Sequence, residues 1–444
     1  MSQRFNYTDG ISQNPSLNFS LYASELSRIA VQATDNNEGA FTVGIFGSWG
    51  SGKTTLMRQI EAQLKGNNSY ENFNLSKCKT IWFNSWKYDE KEAIWNALIQ
   101  SILVEIEKDT RDDEPLNNRI KELAKNIGFH AYDISKEVFI GLIRTQIKKY
   151  TDVELSTKDF NLSKEQLREL DIVKVLSEHY KGINAFETDF KSIVDAYVGE
   201  KGKLIVFIDD LDRCLPENAL AVLEALKLYL DQASCVFFIG LDKRVIEQAV
   251  AHRYKDSNIT GKEYIEKMIQ LNFFLPDKDP ESVKFAIQST LKEIALIEDE
   301  IWDMLLRATK ANFRRTKQFI IAWNIVKNIA ISLGIEQKTL PKMAKVLLIQ
   351  MYFPDFYDVL PKYNYTLMEK MIRVLEADRS GNGDKLNSLL EDNSECKRFF
   401  SNSDLINFLR GDFNNLYAPD ISEAEELKAI LKILSQAGRN SIQN

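Results

Sequence analysis

Phe41-Thr42-Val43-Gly44-Ile45-Phe46-Gly47-Ser48-Trp49-Gly50-Ser51-Gly52-Lys53-Thr54 joins an apolar run to a glycine-rich turn, and its reading decides the fold. Gly47, Gly52, Lys53 and Thr54 satisfy G-x-x-x-x-G-K-[ST]. The apolar run reads as a strand, and Thr55–Leu64 carries apolar positions at helical spacing. Strand, loop and helix in that order are what phosphate binding requires. Glycine at 47, 50 and 52 lets the backbone turn its N–H groups inward, and the following helix start adds favourable partial charge. Lys53 is expected to contact the β- and γ-phosphates and to serve catalysis, and the Thr54 hydroxyl to ligate Mg²⁺. Ser48, Trp49, Ser51 and Thr55 complete the expected nucleotide contacts. A glycine-rich turn with a surface lysine is the competing reading, and the flanking strand and helix disfavour it.

Working outward, four further runs have strand length and strand composition: Thr80–Asn84, Leu204–Ile208, Cys235–Leu241 and Leu271–Leu275. Most are apolar on both faces. With helical stretches such as Leu21–Ala30 and Ala219–Leu230 between them, they predict a parallel sheet covered on both sides, a doubly wound α/β fold. Pro216 stands ahead of the second helix, a good first-turn residue. Residues 105–200 are too long for one crossover and are rich in Lys, Glu, Asp and Asn. Amphipathic segments around Lys121–Ile127, Val138–Ile147 and Lys164–His179 make this a helical insertion. From residue 280 onward helical periodicity dominates, as in Ile301–Leu306 and Phe319–Val326, with a turn expected at Ser380–Asp384. The expected division is therefore 1–104 and 201–279 for the α/β domain, 105–200 for the insertion and 280–444 for a helical C-terminal domain.

A magnesium ion on phosphates needs a second anchor. Leu204-Ile205-Val206-Phe207-Ile208-Asp209-Asp210-Leu211-Asp212-Arg213 supplies it, a buried strand ending in acids. Asp209 is expected to hold the ion through a water, and Asp210 to position or deprotonate the attacking water. Asp242, after the strand Cys235–Leu241, is either a sensor of the γ-phosphate or the N-cap of the next helix. Arg314 and Arg315 are either phosphate-sensing arginines or a solvated basic face. Trp49 and Trp86 read as core or wall packing ahead of chemistry.

Composition bounds the rest. At 444 residues, 44% hydrophobic and 27% charged, the chain exceeds one ordinary core, since cores stop growing near ~250–300 residues. A net charge of −7 argues against coating nucleic acid or an anionic membrane through the overall field. Local basic groups, Arg314, Arg315, Lys317 and the run Arg144 to Lys149, are where nucleic acid would bind, a minority reading. The four cysteines form no Cys-x-x-Cys pair and the three histidines are scattered, which disfavours zinc sites and disulfides. The beginning lacks a signal-peptide core, and no stretch approaches the ~18 consecutive apolar residues of a membrane span. A soluble protein of the reducing cytoplasm is expected.

With these residues in place the chain resembles the KAP family of P-loop NTPases. The resemblance rests on Gly47–Lys53 with its tryptophan, Phe83-Asn84-Ser85-Trp86, Asp209–Cys214, Gly240-Leu241-Asp242, Tyr264–Gln270 leading to Pro276, and Asn312-Phe313-Arg314-Arg315. These motifs come in family order from about Asn14 to Asp355. It implies an additional-strand ATPase core, ATP as nucleotide, and action as a conformational or assembly switch with protein partners or with itself. Many bacterial relatives act in phage defence. Two departures stand out: the insertion is polar where many relatives carry transmembrane helices, and Phe313 stands where proline is common. A small-molecule phosphotransferase and a nucleotide-gated scaffold with little turnover share the motif and remain competing functions. The tandem Asp209-Asp210 and the lack of an arginine-rich acceptor lid disfavour the phosphotransferase.

Overall fold

The computed structural model describes residues 19–32, 39–66, 78–88, 94–133, 186–228, 230–231, 234–255, 260–276, 278–291, 297–414, 428–430 and 432, without the side chains of 124–133 and 412–414. The chain divides into a compact unit of Asn18–Pro276 and a second that includes Asp277–Asn444.

The first unit is built on strands β1 (Phe41–Phe46), β2 (Cys78–Asn84), β3 (Lys203–Asp209), β4 (Cys235–Leu241) and β5 (Leu271–Phe274). Their order across the sheet is β2-β3-β4-β1-β5, with every neighbouring pair parallel. β4 therefore stands between the strand that enters the glycine loop and the strand that ends in acids. It is the additional strand that the resemblance implies. Each residue of β3 and β4 is buried, which accounts for the apolar runs Leu204–Ile208 and Cys235–Leu241 within them. The edge strand β5 is only half-buried. Compared with the sequence reading, β2 starts two residues earlier, β3 runs from Lys203 to Asp209, and β5 stops one residue short of Leu275. Hydrogen bonding to a neighbouring strand, which composition does not encode, sets those ends.

Parallel strands need crossovers, and amphipathic helices supply them. Lys53–Lys65 follows β1, Pro216–Leu228 follows β3, and Lys243–Arg253 with Gly261–Met268 link β4 to β5. Stacked rings of Trp82, Phe207 and Phe238 tie β2, β3 and β4 together, with centroids 5.1 and 5.3 Å apart. Such cross-strand aromatic pairs are worth about 0.5–1.5 kcal/mol each beyond their burial. A buried Glu224 accepts from Tyr254 and Tyr264 and pairs with Arg253, joining three helices.

Within the expected insertion the described residues form the end of helix Ile94–Asp109, helix Glu114–Asp133 and a helix over 186–198. Val138–Ile147, Lys164–His179 and the basic run from Arg144 lie outside the described residues. Among described residues, no helix is long and apolar enough to cross a membrane.

The second unit is helical throughout its described residues from 278 onward. Its core gathers Trp302, Phe319, Trp323, Leu348, Met371, Phe399 and Phe408. A turn with Gly381 at φ 67° separates helices Thr366–Arg379 and Gly383–Glu391, where the Asn-Gly pair announces it. Of the cysteines, Cys214, Cys235 and Cys396 are buried thiols and Cys78 is half-buried.

Candidate functional site

The register of the sheet assembles the site. Asn84 pairs with Asp209 across β2 and β3, Ile208 with Ile239 across β3 and β4, and Ile45 with Gly240 across β4 and β1. The carboxyl ends of four strands thus meet in one row, the edge at which open α/β sheets take ligands.

Gly47 begins the loop there, its N–H donating to Leu241 O at 3.1 Å. Gly50 (φ 79°) and Gly52 (φ 103°) occupy the left-handed region that side-chain-bearing residues avoid. A Cβ on Gly47 would lie 2.4 Å from Ser51 Oγ and 3.1 Å from Leu275 Cδ1, so a side chain at position 47 would have to displace Ser51 Oγ. The helix starts at Lys53, which presents the orphan N–H groups of its first turn to the loop.

Lys53 is buried rather than a surface lysine. Its ammonium donates to Gly47 O (2.9 Å) and Ser48 O (3.4 Å) and pairs with Asp212 Oδ2 at 2.8 Å. Thr54 Oγ1 donates to Asp209 Oδ1 at 3.1 Å, bringing together residues 155 apart in sequence. Burial pushes the Asp209 carboxyl above its usual range and the neighbouring Asp210 charge adds to this, against opposing contacts from Thr54, the Asp210 N–H and Lys53. A carboxylate so placed gains from a nearby cation.

Asp210 leaves the strand at φ 58° and starts a short 3₁₀ turn, Leu211–Arg213. Both its oxygens are engaged. Asn84 Nδ2 donates to Oδ2 at 3.1 Å, and Arg213 Nε stands 2.7 Å from Oδ1, an ion pair whose angle falls short of a hydrogen bond. Gly240 faces the same spot, since a Cβ there would sit 3.2 Å from Asp209 Oδ1 and 3.0 Å from Met57 Cε.

Asn84, Asp212, Arg213 and Gly240 are thus site residues to which the sequence reading assigned no role. All four lie in motifs that carry the family resemblance, and the i, i+3 spacing of Asp210 and Arg213, which a 3₁₀ turn brings face to face, was a further local signal. For Trp49 and Trp86, expected as core or wall packing, the core alternative is corrected and the wall alternative stands. They are 64% and 55% exposed and belong to no core, because each sits on a loop beyond the strand ends.

Asp242 is an N-cap. Its Oδ1 accepts the Arg244 N–H at 3.1 Å, and the Arg244 guanidinium closes on both oxygens at 3.3 and 3.0 Å. Burial alone would raise its pKa, but the Arg244 bonds outweigh this and hold it below the usual carboxylate range. A lowered folded pKa gives stability that is present above the unfolded value and lost as pH falls through the folded one. Asp242→Asn keeps a capping oxygen and removes the charge, so it should lower stability at pH 7 by about 0.2–1 kcal/mol, the range of an exposed ion pair with Arg244. The gap from wild type should close toward pH 3, as read from urea midpoints at the two pH values.

Arg314 and Arg315 lie on the second unit, in the first turn of helix Phe313–Ser332. Asn312 caps that helix by accepting from the Arg315 N–H at 3.1 Å. Two cations at the positive end of a helix dipole are locally unfavourable by a few tenths of a kcal/mol each, a cost that a bound anion would reverse. The Arg315 guanidinium lies over the Tyr352 ring at 5.1 Å. It also borders a cavity of about 280 Å³ shared with Arg307, Lys310 and Asp404.

Compared with known proteins, the model of the KAP family P-loop domain matches residues 19–330. An uncharacterized protein of Methanocaldococcus jannaschii is 29% identical over 158 residues, which are 33% of this chain and 81% of that protein. The phage T7 exclusion protein of Escherichia coli is 25% identical over 259 residues, 54% of this chain and 30% of that protein. Among solved structures, the ORC2 protein of Aeropyrum pernix overlays with a TM-score of 0.31 at 13% identity, covering 94% of this chain and 85% of that one. A Walker-type ATPase of Pyrococcus abyssi gives 0.31 at 10% identity, with 97% and 99% covered. At these scores the overlays carry no argument.

Proposed function

Because the chain belongs to the KAP family of P-loop NTPases, we propose that it binds Mg-ATP at the carboxyl edge of the sheet and hydrolyses it, using the cycle as a conformational or assembly switch. One observation carries this reading: Thr54 Oγ1 and Asp209 Oδ1, 155 residues apart in sequence, lie 3.1 Å apart beside the Lys53 ammonium. A hydroxyl and a carboxylate are the hard oxygen donors that Mg²⁺ takes, so the residues present fit the ion.

Bound Mg-ATP supplies an electrophilic γ-phosphate. Lys53 exchanges its Asp212 contact for phosphate oxygens, and the loop N–H groups with the helix start at Lys53 hold the remaining charge. Thr54 and Asp209 would hold the ion, Thr54 releasing its hydrogen bond to Asp209. Asp210 orients the attacking water and takes its proton once one of its two oxygens is released. Asp242, Arg314 and Arg315 are the proposed sensors, Asp242 through its cap of the helix after β4.

A second reading, a nucleotide-gated scaffold with little turnover, is favoured by the double engagement of Asp210 with Asn84 and Arg213. Turnover with saturating Mg-ATP separates the two. A role in excluding phage is supported by the relationship to the T7 exclusion protein, although this chain spans 30% of that protein's length.

If the cycle is a switch, ATP and ADP must favour different states. A ten-fold preference of ATP for one state biases it by about 1.4 kcal/mol. We expect Asp210→Asn with ATP to differ from the same variant with ADP in native mass or in proteolysis of the helical unit. Arg314→Ala or Arg315→Ala should weaken that difference more than ATP affinity. Identical patterns in both nucleotides would leave a constitutive ATPase.

A further inference from the structure

Three loops beyond the strand ends converge on one guanidinium. Trp49 comes from the phosphate loop, Trp86 from the turn Ser85–Tyr88 after β2, and Arg213 from the 3₁₀ turn after β3. The Arg213 Cζ stands 5.4 Å from the ring centroids of both tryptophans, within the range of cation–π attraction. Its Nε stands 2.7 Å from Asp210 Oδ1. Asn84, one residue before the turn that carries Trp86, holds the other oxygen of Asp210.

We propose that Arg213, clamped by Trp49 and Trp86, is the positioning residue that sets the rotamer of Asp210 and links it to the phosphate loop. The proposal rests on the reading of Asp210 as the water-orienting acid. It accounts for three otherwise unconnected facts. Two large rings stay mostly in solvent because their work is to stack on a cation rather than to fill a core. Asp210 keeps a left-handed backbone that residues with a Cβ leave readily, and it does so while tied down on both oxygens. Trp49 interrupts a loop in which small residues would suffice for phosphate binding, and it gives any movement of that loop a direct path to the acid. A guanidinium suits the task, since its delocalised charge can lie over both rings while Nε stays within ion-pair distance of Asp210.

The separable consequence is that the clamp governs turnover and not nucleotide binding, which falls to Lys53 and the loop backbone. The test uses the full chain with Arg213→Gln, Arg213→Lys, Trp86→Ala, Trp86→Phe and Asp210→Asn. Steady-state ATP hydrolysis, affinity for a fluorescent ATP analogue, and acrylamide quenching of tryptophan fluorescence without nucleotide are measured on each. Arg213→Gln and Trp86→Ala should lower kcat by ~10–100-fold, the usual range for a residue that orients a reacting group. KM and analogue affinity should stay within about three-fold of wild type, the pattern of an interaction made only in the transition state. Trp86→Phe, which keeps a ring face, should restore most of kcat, and Arg213→Lys should restore little. Quenching should rise in Arg213→Gln as the rings lose their cover. Wild-type kcat in Arg213→Gln and Trp86→Ala beside an inactive Asp210→Asn would overturn the clamp and leave the acid in place. Unchanged quenching in Arg213→Gln would overturn the stacking. Wild-type turnover in Asp210→Asn would instead overturn the reading of the acid on which the proposal stands.

Discussion

Lys53→Ala is expected to lower nucleotide affinity by at least about a hundred-fold, close to 2.7 kcal/mol, since hydrogen bonds to charged groups contribute about 1.5–3 kcal/mol each and the ammonium makes more than one. The structure adds a second effect. Lys53 and Asp212 form an ion pair with side chains 8% and 9% exposed, and the Asp209 and Asp210 carboxylates precede Asp212 at the end of β3 and in the turn after it. Removing the lysine leaves Asp212 buried without its cation, a change that costs up to ~3–5 kcal/mol in comparable pairs. The single variant should therefore melt earlier as well as bind poorly. Lys53→Ala combined with Asp212→Asn separates the two effects, because the amide removes the stranded charge. We expect the double variant to regain thermal stability by circular dichroism and still to fail in equilibrium titration with ATP. Wild-type affinity in a folded Lys53→Ala protein would remove the central functional claim.

Asp210→Asn should retain Mg-ATP binding and lose turnover by ~10²–10⁴-fold, the range for a group that moves a proton in the transition state. The amide keeps the size of the carboxylate and can still meet Asn84 by reorienting. It accepts a proton poorly and no longer pairs with Arg213. The neighbouring acid provides the control. Asp209 Oδ1 touches Thr54 Oγ1, so Asp209→Asn should weaken the magnesium-dependent part of nucleotide affinity as well as the rate. Titrations with and without Mg²⁺, beside single-turnover hydrolysis, distinguish the two acids. A binding-competent, inactive Asp209→Asn together with an active Asp210→Asn would exchange their roles.

Glycines at 47, 50 and 52 followed by Lys53 and Thr54 announce a strand, loop and helix within fourteen residues, and local backbone freedom is all that such a turn requires. The same locality makes β3 and β4 readable, because a strand buried on both faces reads as a near-continuous apolar run, Leu204–Ile208 and Cys235–Leu241. Strand order is different in kind: continuous apolar runs are interchangeable, and β4 could be assigned between β1 and β3 only through the family resemblance until the pairings were seen. Asp209 meets Thr54 across 155 residues and Asp210 meets Asn84 across 126, contacts that depend on the register of separate strands and on no local pattern. For the same reason the sequence could name Lys53 and the two acids but not Asp212 as the partner of the lysine, nor Gly240 as the space beside Asp209. Trp49 and Trp86 mark the limit most clearly. Hydrophobicity favoured packing, whereas the tertiary structure sets both rings outside the core against Arg213, because only the convergence of three loops decides whether an aromatic ring fills an interior or covers a cation.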